Sequence, residues 1–140
     1  MNVTPYLNFD GRCEQALEFY AKAIDARVEM TMRYSDSPEP PPPGMVKPGS
    51  DHKIMHTQFR VGTALVMASD GYCGDAPEFK GVSLSLAADD EATARRWFDG
   101  LAAGGKIEMP LGETFWSEIF GACKDRFGTH WMINGGARRM

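Results

Sequence analysis

The sequence predicts an α+β fold of two βαβββ modules, each a curved mixed four-stranded sheet with a helix on its convex face, the pair forming a shared cup. Three observations carry this. First, the order strand–helix–strand–strand–strand occurs twice along 140 residues. Second, displacing the first half by about 79 places sets Val3-Thr4 near Val82-Ser83 and Asp10 on Asp89, as an internal repeat requires. A one-residue slip then sets Phe19-Tyr20 on Trp97-Phe98, and Val28-Glu29-Met30 matches Ile107-Glu108-Met109. Third, the strands alternate apolar and polar residues, so each sheet has one face to bury and cannot do so as an isolated small sheet. Module one spans about 1–70 and module two about 81–137 of a single 1–140 domain, with a proline-rich loop over 35–52.

Residues 3–9 form the first expected strand, with Val3, Leu7 and Phe9 on one face and Thr4, Tyr6 and Asn8 on the other. Asp10-Gly11 ends it. Residues 13–25 carry Ala16, Leu17, Phe19, Tyr20 and Ile24 at helical spacing. Residues 27–34 read as a strand. The segment after it holds Pro38, Pro40 to Pro43 and Pro48, which cannot donate ladder hydrogen bonds, and so forms an extended surface loop or a lid. Residues 54–61 and 64–69 are strands joined at Gly62-Thr63. Residues 81–86 are a period-two strand. Asp89 or Asp90 caps a helix running to about 103, with Ala94, Trp97, Phe98 and Leu101 as its apolar stripe, and Gly104-Gly105 stops it. Residues 106–110, 114–123 and 130–134 complete the second sheet. Asp125-Arg126-Phe127-Gly128 makes the closing turn.

Composition bounds the function classes. With 43% hydrophobic and 24% charged residues, the chain is an ordinary globular one. A net charge of −4 gives no basic footprint for nucleic acid or anionic membrane, and Arg138-Arg139 reads as a solvated tail. No apolar run approaches the roughly 20 residues of a bilayer span, and no basic segment leads into an apolar one as in a secretory signal. Cys13, Cys73 and Cys123 are odd in number and widely spaced, which points to a reducing cytoplasm with neither a disulfide framework nor a thiolate zinc site. There is no Gly-x-Gly-x-x-Gly after a strand and no nucleophile elbow.

If the helices cover the apolar faces, the opposite residues look into the cup. They are Thr4, Tyr6, Asn8, His56, Gln58, Arg60, Met67, Ser83, Ser85, His130, Met132 and Asn134. Buried polar groups need partners, so such a lining calls for water, a polar ligand or a dimer contact. His56 stands mid-strand beside Gln58 and Arg60 and is read either as a ligand anchor or acid–base group or as a hydrogen-bonded histidine without chemistry. His52 lies four residues from it, about 13 Å along a strand, too far to share one ion. Glu113 could supply a carboxylate to His56, or be a solvated strand-edge residue. Phe115 and Trp116 offer an aromatic wall for a flat ligand, or core. The methionines read as gap-fillers.

Four segments carry a family resemblance: Ala16-Leu17-Glu18-Phe19-Tyr20, Met67-Ala68-Ser69-Asp70, Thr114-Phe115-Trp116, and Asp125-Arg126-Phe127-Gly128 with Trp131. In these the chain resembles the glyoxalase/bleomycin-resistance/dioxygenase (vicinal oxygen chelate) superfamily, in its PhnB-like, demethylubiquinone methyltransferase-like branch. The resemblance implies a homodimer and, in metal-dependent members, His, Gln or Glu ligands on the first and last strands of each module. Here those places fall on Thr4, Met67, Ser83 and Met132, none a good ligand for a divalent metal. The branch carries a third-strand histidine, matched by His56, and polar residues near the Phe-Trp pair, matched by Glu113.

Three functions follow as expectations. One is a cytoplasmic binding module that holds a small polar or aromatic molecule through His56, Gln58, Arg60, Glu113, Trp116, Tyr6, Ser83 and His130. The second is a metal-dependent lyase, isomerase or dioxygenase, with a divalent metal on an altered ligand set around His56 and Glu113. The third is a protein-interaction scaffold using the proline loop.

Overall fold

The computed structural model describes residues 2–39, 44–71, 73–74 and 78–136. The proline run 40–43 and the tail arginines lie outside them. The chain divides into two units, 1–77 and 78–140. The first holds β1 (Tyr6–Asn8), α1 (Cys13–Ile24), β2 (Arg27–Arg33), β3 (Ile54–Val61) and β4 (Ala64–Ser69). The second holds β5 (Ser83–Ala88), α2 (Glu91–Ala102), β6 (Lys106–Gly112), β7 (Phe120–Lys124) and β8 (His130–Gly135). Each unit is therefore one βαβββ module, as the repeat requires. The sheet orders are β1-β4-β3-β2 and β5-β8-β7-β6, the same topology twice. In both, the first strand runs parallel to the last and the other pairs are antiparallel.

In the first unit α1 covers the sheet face carrying Leu7, Phe9, Thr57 and Phe59. Tyr20 is the pivot. It is fully buried, with its ring 6.0 Å from Phe9 and 6.1 Å from Phe59. Burying each such side chain contributes about 1.5–3 kcal/mol. Asp25 ends the helix in the left-handed conformation at φ 57°. In the second unit α2 buries Ala94, Phe98 and Leu101, while the expected stripe residue Trp97 is only half-buried. Asp90, not Asp89, caps α2 by accepting the Thr93 amide at 2.7 Å, and this bond holds the Asp90 carboxyl below its ordinary pKa.

Two expected strands are shorter. The first begins at Tyr6, not at residue 3. Val3 is 97% exposed, and Pro5 has no N–H to donate, although its carbonyl still accepts the Met67 amide at 2.9 Å. The expected strand over 114–123 is a strand only from Phe120. Hydroxyl chemistry overrides aromatic propensity there: the Ser117 amide donates to Thr114 Oγ1 at 3.0 Å and the Thr114 amide to the Ser117 carbonyl at 3.1 Å, which closes a turn. The described ends of the 35–52 loop are tied together, because the Ser35 amide donates to the Asp51 carbonyl at 2.9 Å. The edge strands β2 and β6 each carry an extra residue against their neighbours, at Glu29 between Val28 and Met30 and at Glu108 between Ile107 and Met109.

Candidate functional site

The face of the first sheet opposite α1 is built by strand register. Met67 on β4 has Tyr6 and Gln58 as its neighbours, and Met30 and Met32 on β2 sit beside Gln58 and His56. Paired residues share a face, so Tyr6, His56 and Gln58 meet there among three thioethers. The Tyr6 hydroxyl lies 2.9 Å from His56 Nδ1, and Gln58 Nε2 lies 3.3 Å from His56 Nε2. The Tyr6 and His56 rings are 5.5 Å apart. With the Gln58 amide nitrogen toward the ring, Nε2 accepts, Nδ1 carries the proton and Tyr6 Oη accepts it. Turning the amide over reverses both bonds. Either arrangement fixes the orientation of the His56 ring through both of its nitrogens. Partial burial pushes the Tyr6 hydroxyl above its ordinary pKa, against the lowering effect of a hydrogen bond to Ser69, so it stays protonated at neutral pH. Arg60 stands on the same face, its Nε 3.0 Å from Glu29 Oε1.

On the second sheet, Ser83 pairs with His130 and Ser85 with Met132. His130 Nδ1 lies 2.9 Å from Glu108 Oε1. Glu113 is exposed, just after β6. Trp116 is half-buried, packing edge-on against Phe115 at 4.8 Å and Phe120 at 5.4 Å, with Phe115 itself 74% exposed. Ser117 is fully buried, bonded to Asn134 Oδ1 and donating to the Ile119 carbonyl at 2.7 Å, so the turn bearing these aromatics is firmly held. Tyr6, His56 and Gln58 thus form one hydrogen-bonded row with Arg60 on their face. Ser83 and His130 are neighbours on the second sheet, while Glu113 and Trp116 belong to the segment leading into β7.

Two buried carboxylates carry structure around these faces. Asp70 is fully buried and accepts the Cys13 amide at 2.7 Å and the Ile54 amide at 2.6 Å, tying the start of α1 to the start of β3. Asp125 accepts the amides of Phe127 and Thr129 at 2.9 and 3.0 Å and the Trp131 indole N–H at 2.8 Å. Sequence alone reads Asp125 as a turn residue. It misses Asp70, whose only signal is a carboxylate directly after an apolar strand.

The superfamily's metal finds a poor donor set here. Thr4, Met67, Ser83 and Met132 offer two hydroxyls and two thioethers, against the nitrogen and carboxylate donors such a metal prefers. Thr4 also precedes β1, and the strand neighbour of Met67 is Tyr6. Among the described residues no three His, Cys, Asp or Glu side chains converge on one point. At these four positions the residues present do not fit a divalent centre.

The family model of 3-demethylubiquinone-9 3-methyltransferase matches residues 1–134. The chain is 38% identical over 141 residues to protein YjdN of Escherichia coli K12, covering 96% of this chain and 95% of that protein. Protein PA1353 from Pseudomonas aeruginosa superposes with a TM-score of 0.82 at 41% identity, over 96% of both chains. The PhnB protein from Bacillus cereus, described by the same methyltransferase name, superposes with a TM-score of 0.78 at 27% identity, over 96% of this chain and 98% of that one. A likeness of fold alone extends to a glyoxylase/bleomycin resistance protein/dioxygenase domain from Frankia sp. EAN1pec, with a TM-score of 0.63 at 14% identity over 96% and 94% of the two chains. Repeated βαβββ topology and these likenesses agree: the fold is that of the glyoxylase/bleomycin resistance protein/dioxygenase domain, and the chain belongs to the 3-demethylubiquinone-9 3-methyltransferase family.

Proposed function

We propose that this protein binds a small polar or aromatic molecule on the open faces of its sheets, with His56 as the central contact. The observation that carries the reading is the Tyr6–His56–Gln58 row, three hydrogen-bonded polar side chains on one sheet face beside Met30, Met32 and Met67. An imidazole held by two neighbours loses little freedom when a ligand contacts it. Thioethers beside it adapt to flat or irregular shapes. Arg60 is the further contact on the same face in this reading, while the second unit offers Ser83, His130, Glu113 and Trp116 as contacts of its own, with Trp116 able to stack on a ring. The protein acts as a cytoplasmic homodimer without nucleic-acid or membrane partners. Its negative net charge speaks against a nucleic-acid or anionic-membrane partner, and no helix among the described residues is long and apolar enough to cross a membrane.

A thermal-shift screen of small polar and aromatic compounds tests the reading, run on the wild type beside His56→Ala and Tyr6→Phe. Compounds that raise the melting temperature of the wild type should lose most of that effect in His56→Ala. Hits that stabilise both proteins equally would remove His56 from the site. Elemental analysis of protein purified without chelator or affinity metal tests the metal-dependent alternative. A near-stoichiometric divalent metal that disappears in His56→Ala would replace the binding reading with the enzyme one.

A further inference from the structure

Beyond Gln58, the first sheet ends in charge. Arg27 and Arg60 are direct neighbours across β2 and β3, so their stems rise from the same face. With Glu29, Gly62 and Thr63 they line a cleft of about 470 Å³. Both guanidinium groups are moored to the β3–β4 turn. Arg27 Nη2 donates to the Gly62 carbonyl at 2.9 Å, and Arg60 Nη1 donates to the Thr63 carbonyl at 3.0 Å. Arg60 Nε donates to Glu29 Oε1 at 3.0 Å. A guanidinium carries five N–H donors in a planar fork. These bonds take one from Arg27 and two from Arg60, which leaves each a polar edge for a further acceptor. Two fixed cations face one carboxylate, so the cleft carries an excess positive charge in a chain whose net charge is −4.

We infer that this cleft takes the oxyanion, a carboxylate or phosphate-type group, of a small organic ligand. The fork geometry of arginine matches two oxygens of one such group, and moored guanidiniums lose little freedom on binding. Glu29 is the built-in competitor: it occupies one edge of Arg60 and keeps that side chain in place when no anion is there. The inference narrows the ligand of the binding reading above and rests on that reading for the remainder of the molecule. His56 and Arg60 are four strand residues apart, about 13 Å, so a ligand of roughly that length reaches from the cleft past Gln58 to the histidine.

The test is an NMR titration of the full ¹⁵N-labelled chain with inorganic phosphate against sodium chloride at matched ionic strength, because exposed ion pairs are screened by salt. Phosphate should shift the Gly62 and Thr63 amides and the Arg27 and Arg60 Nε–H signals saturably. Arg27→Gln should weaken phosphate binding about threefold or more, and Glu29→Gln should tighten it about threefold, the scale of an exposed ion pair. Arg95→Gln, on the exposed surface of α2, should change nothing. Shifts no larger than those of chloride, or insensitive to both Arg27→Gln and Glu29→Gln, would overturn the inference and leave the compound screen standing. A second titration uses 8-phenyloctanoate, long enough to span from Arg60 to His56, whose carboxylate should produce the same shifts while its ring also moves the His56 side-chain signals. If the carboxylate shifts appear and His56 does not move, the oxyanion cleft is supported and it is the His56-centred reading that fails.

Discussion

Replacing Asp70 by alanine should be among the most costly single changes in the first unit. Its two carboxylate oxygens receive the Cys13 and Ile54 amides at 2.7 and 2.6 Å, and both amides belong to residues that are essentially inaccessible to water. Without the carboxylate these amides have no substitute, and each orphaned charge-assisted bond costs about 1.5–3 kcal/mol. Two such losses give about 3–6 kcal/mol, lessened by no longer burying a charge, so about 3–4 kcal/mol is expected. Asp70→Asn keeps one acceptor oxygen and sets an amide nitrogen against the other N–H, so roughly half the loss should remain. Urea unfolding followed by far-UV circular dichroism measures both. Since a domain holds only about 5–15 kcal/mol in total, the alanine midpoint should fall sharply. An alanine variant within about 1 kcal/mol of wild type would refute the argument that these amides depend on this carboxylate.

Three further expectations follow the same physics. Asp125→Ala removes the acceptor of two amides and the Trp131 indole; about 2–4 kcal/mol should be lost and the Trp131 emission should change in the native state, read by fluorescence during unfolding. Gly105→Ala would set a Cβ 2.1 Å from the Lys124 carbonyl oxygen, a contact with backbone that no rotamer relieves, so a loss of about 2 kcal/mol or more is expected by the same urea assay. Burial, with Asp125 and Glu108 nearby, pushes the Cys123 thiol up to about 12 from an ordinary value of 9.0. The folded chain then holds a proton that the unfolded chain releases. This contribution is fully present below pH 9 and is lost as pH rises toward 12, so stability should fall across that window, and less steeply in Cys123→Ala.

The parts of the fold legible in the sequence are those where burial on one side imposes a period. β3 and β4 run over the residues that alternation assigns, and the buried rows of α1 and α2 contain Ala16, Leu17, Tyr20, Ala94, Phe98 and Leu101. What was not legible depends on partners far along the chain. Val3 fits the alternation but is 97% exposed, and the strand begins only at Tyr6. Residues 114–119 have strand-like composition, and two hydroxyls turn them. The Tyr6–His56–Gln58 row was legible as a shared face but not as a set of bonds, because it needs the register of β1 on β4 and of β4 on β3. Met30 and Met32 went unnoticed in the lining because the extra residue at Glu29 shifts the alternation of β2. Asp70 binds partners 57 and 16 residues away, and nothing local announces that.

The paired bulges at Glu29 and Glu108 have a consequence for life in a crowded solution. β2 and β6 each form one edge of their sheet, and both show half-exposed apolar side chains, Val28 and Met30 on one, Ile107 and Met109 on the other. A straight, greasy border of that kind invites a foreign strand to zip onto it and begin a fibril. In each border one surplus residue throws the hydrogen-bonding teeth out of step, and that residue is an acid anchored inward, Glu29 to Arg60 and Glu108 to His130. The repeat has thus duplicated a lock against self-templating together with the fold. A chain relieved of both glutamates would keep its topology while its two borders became landing strips for its neighbours.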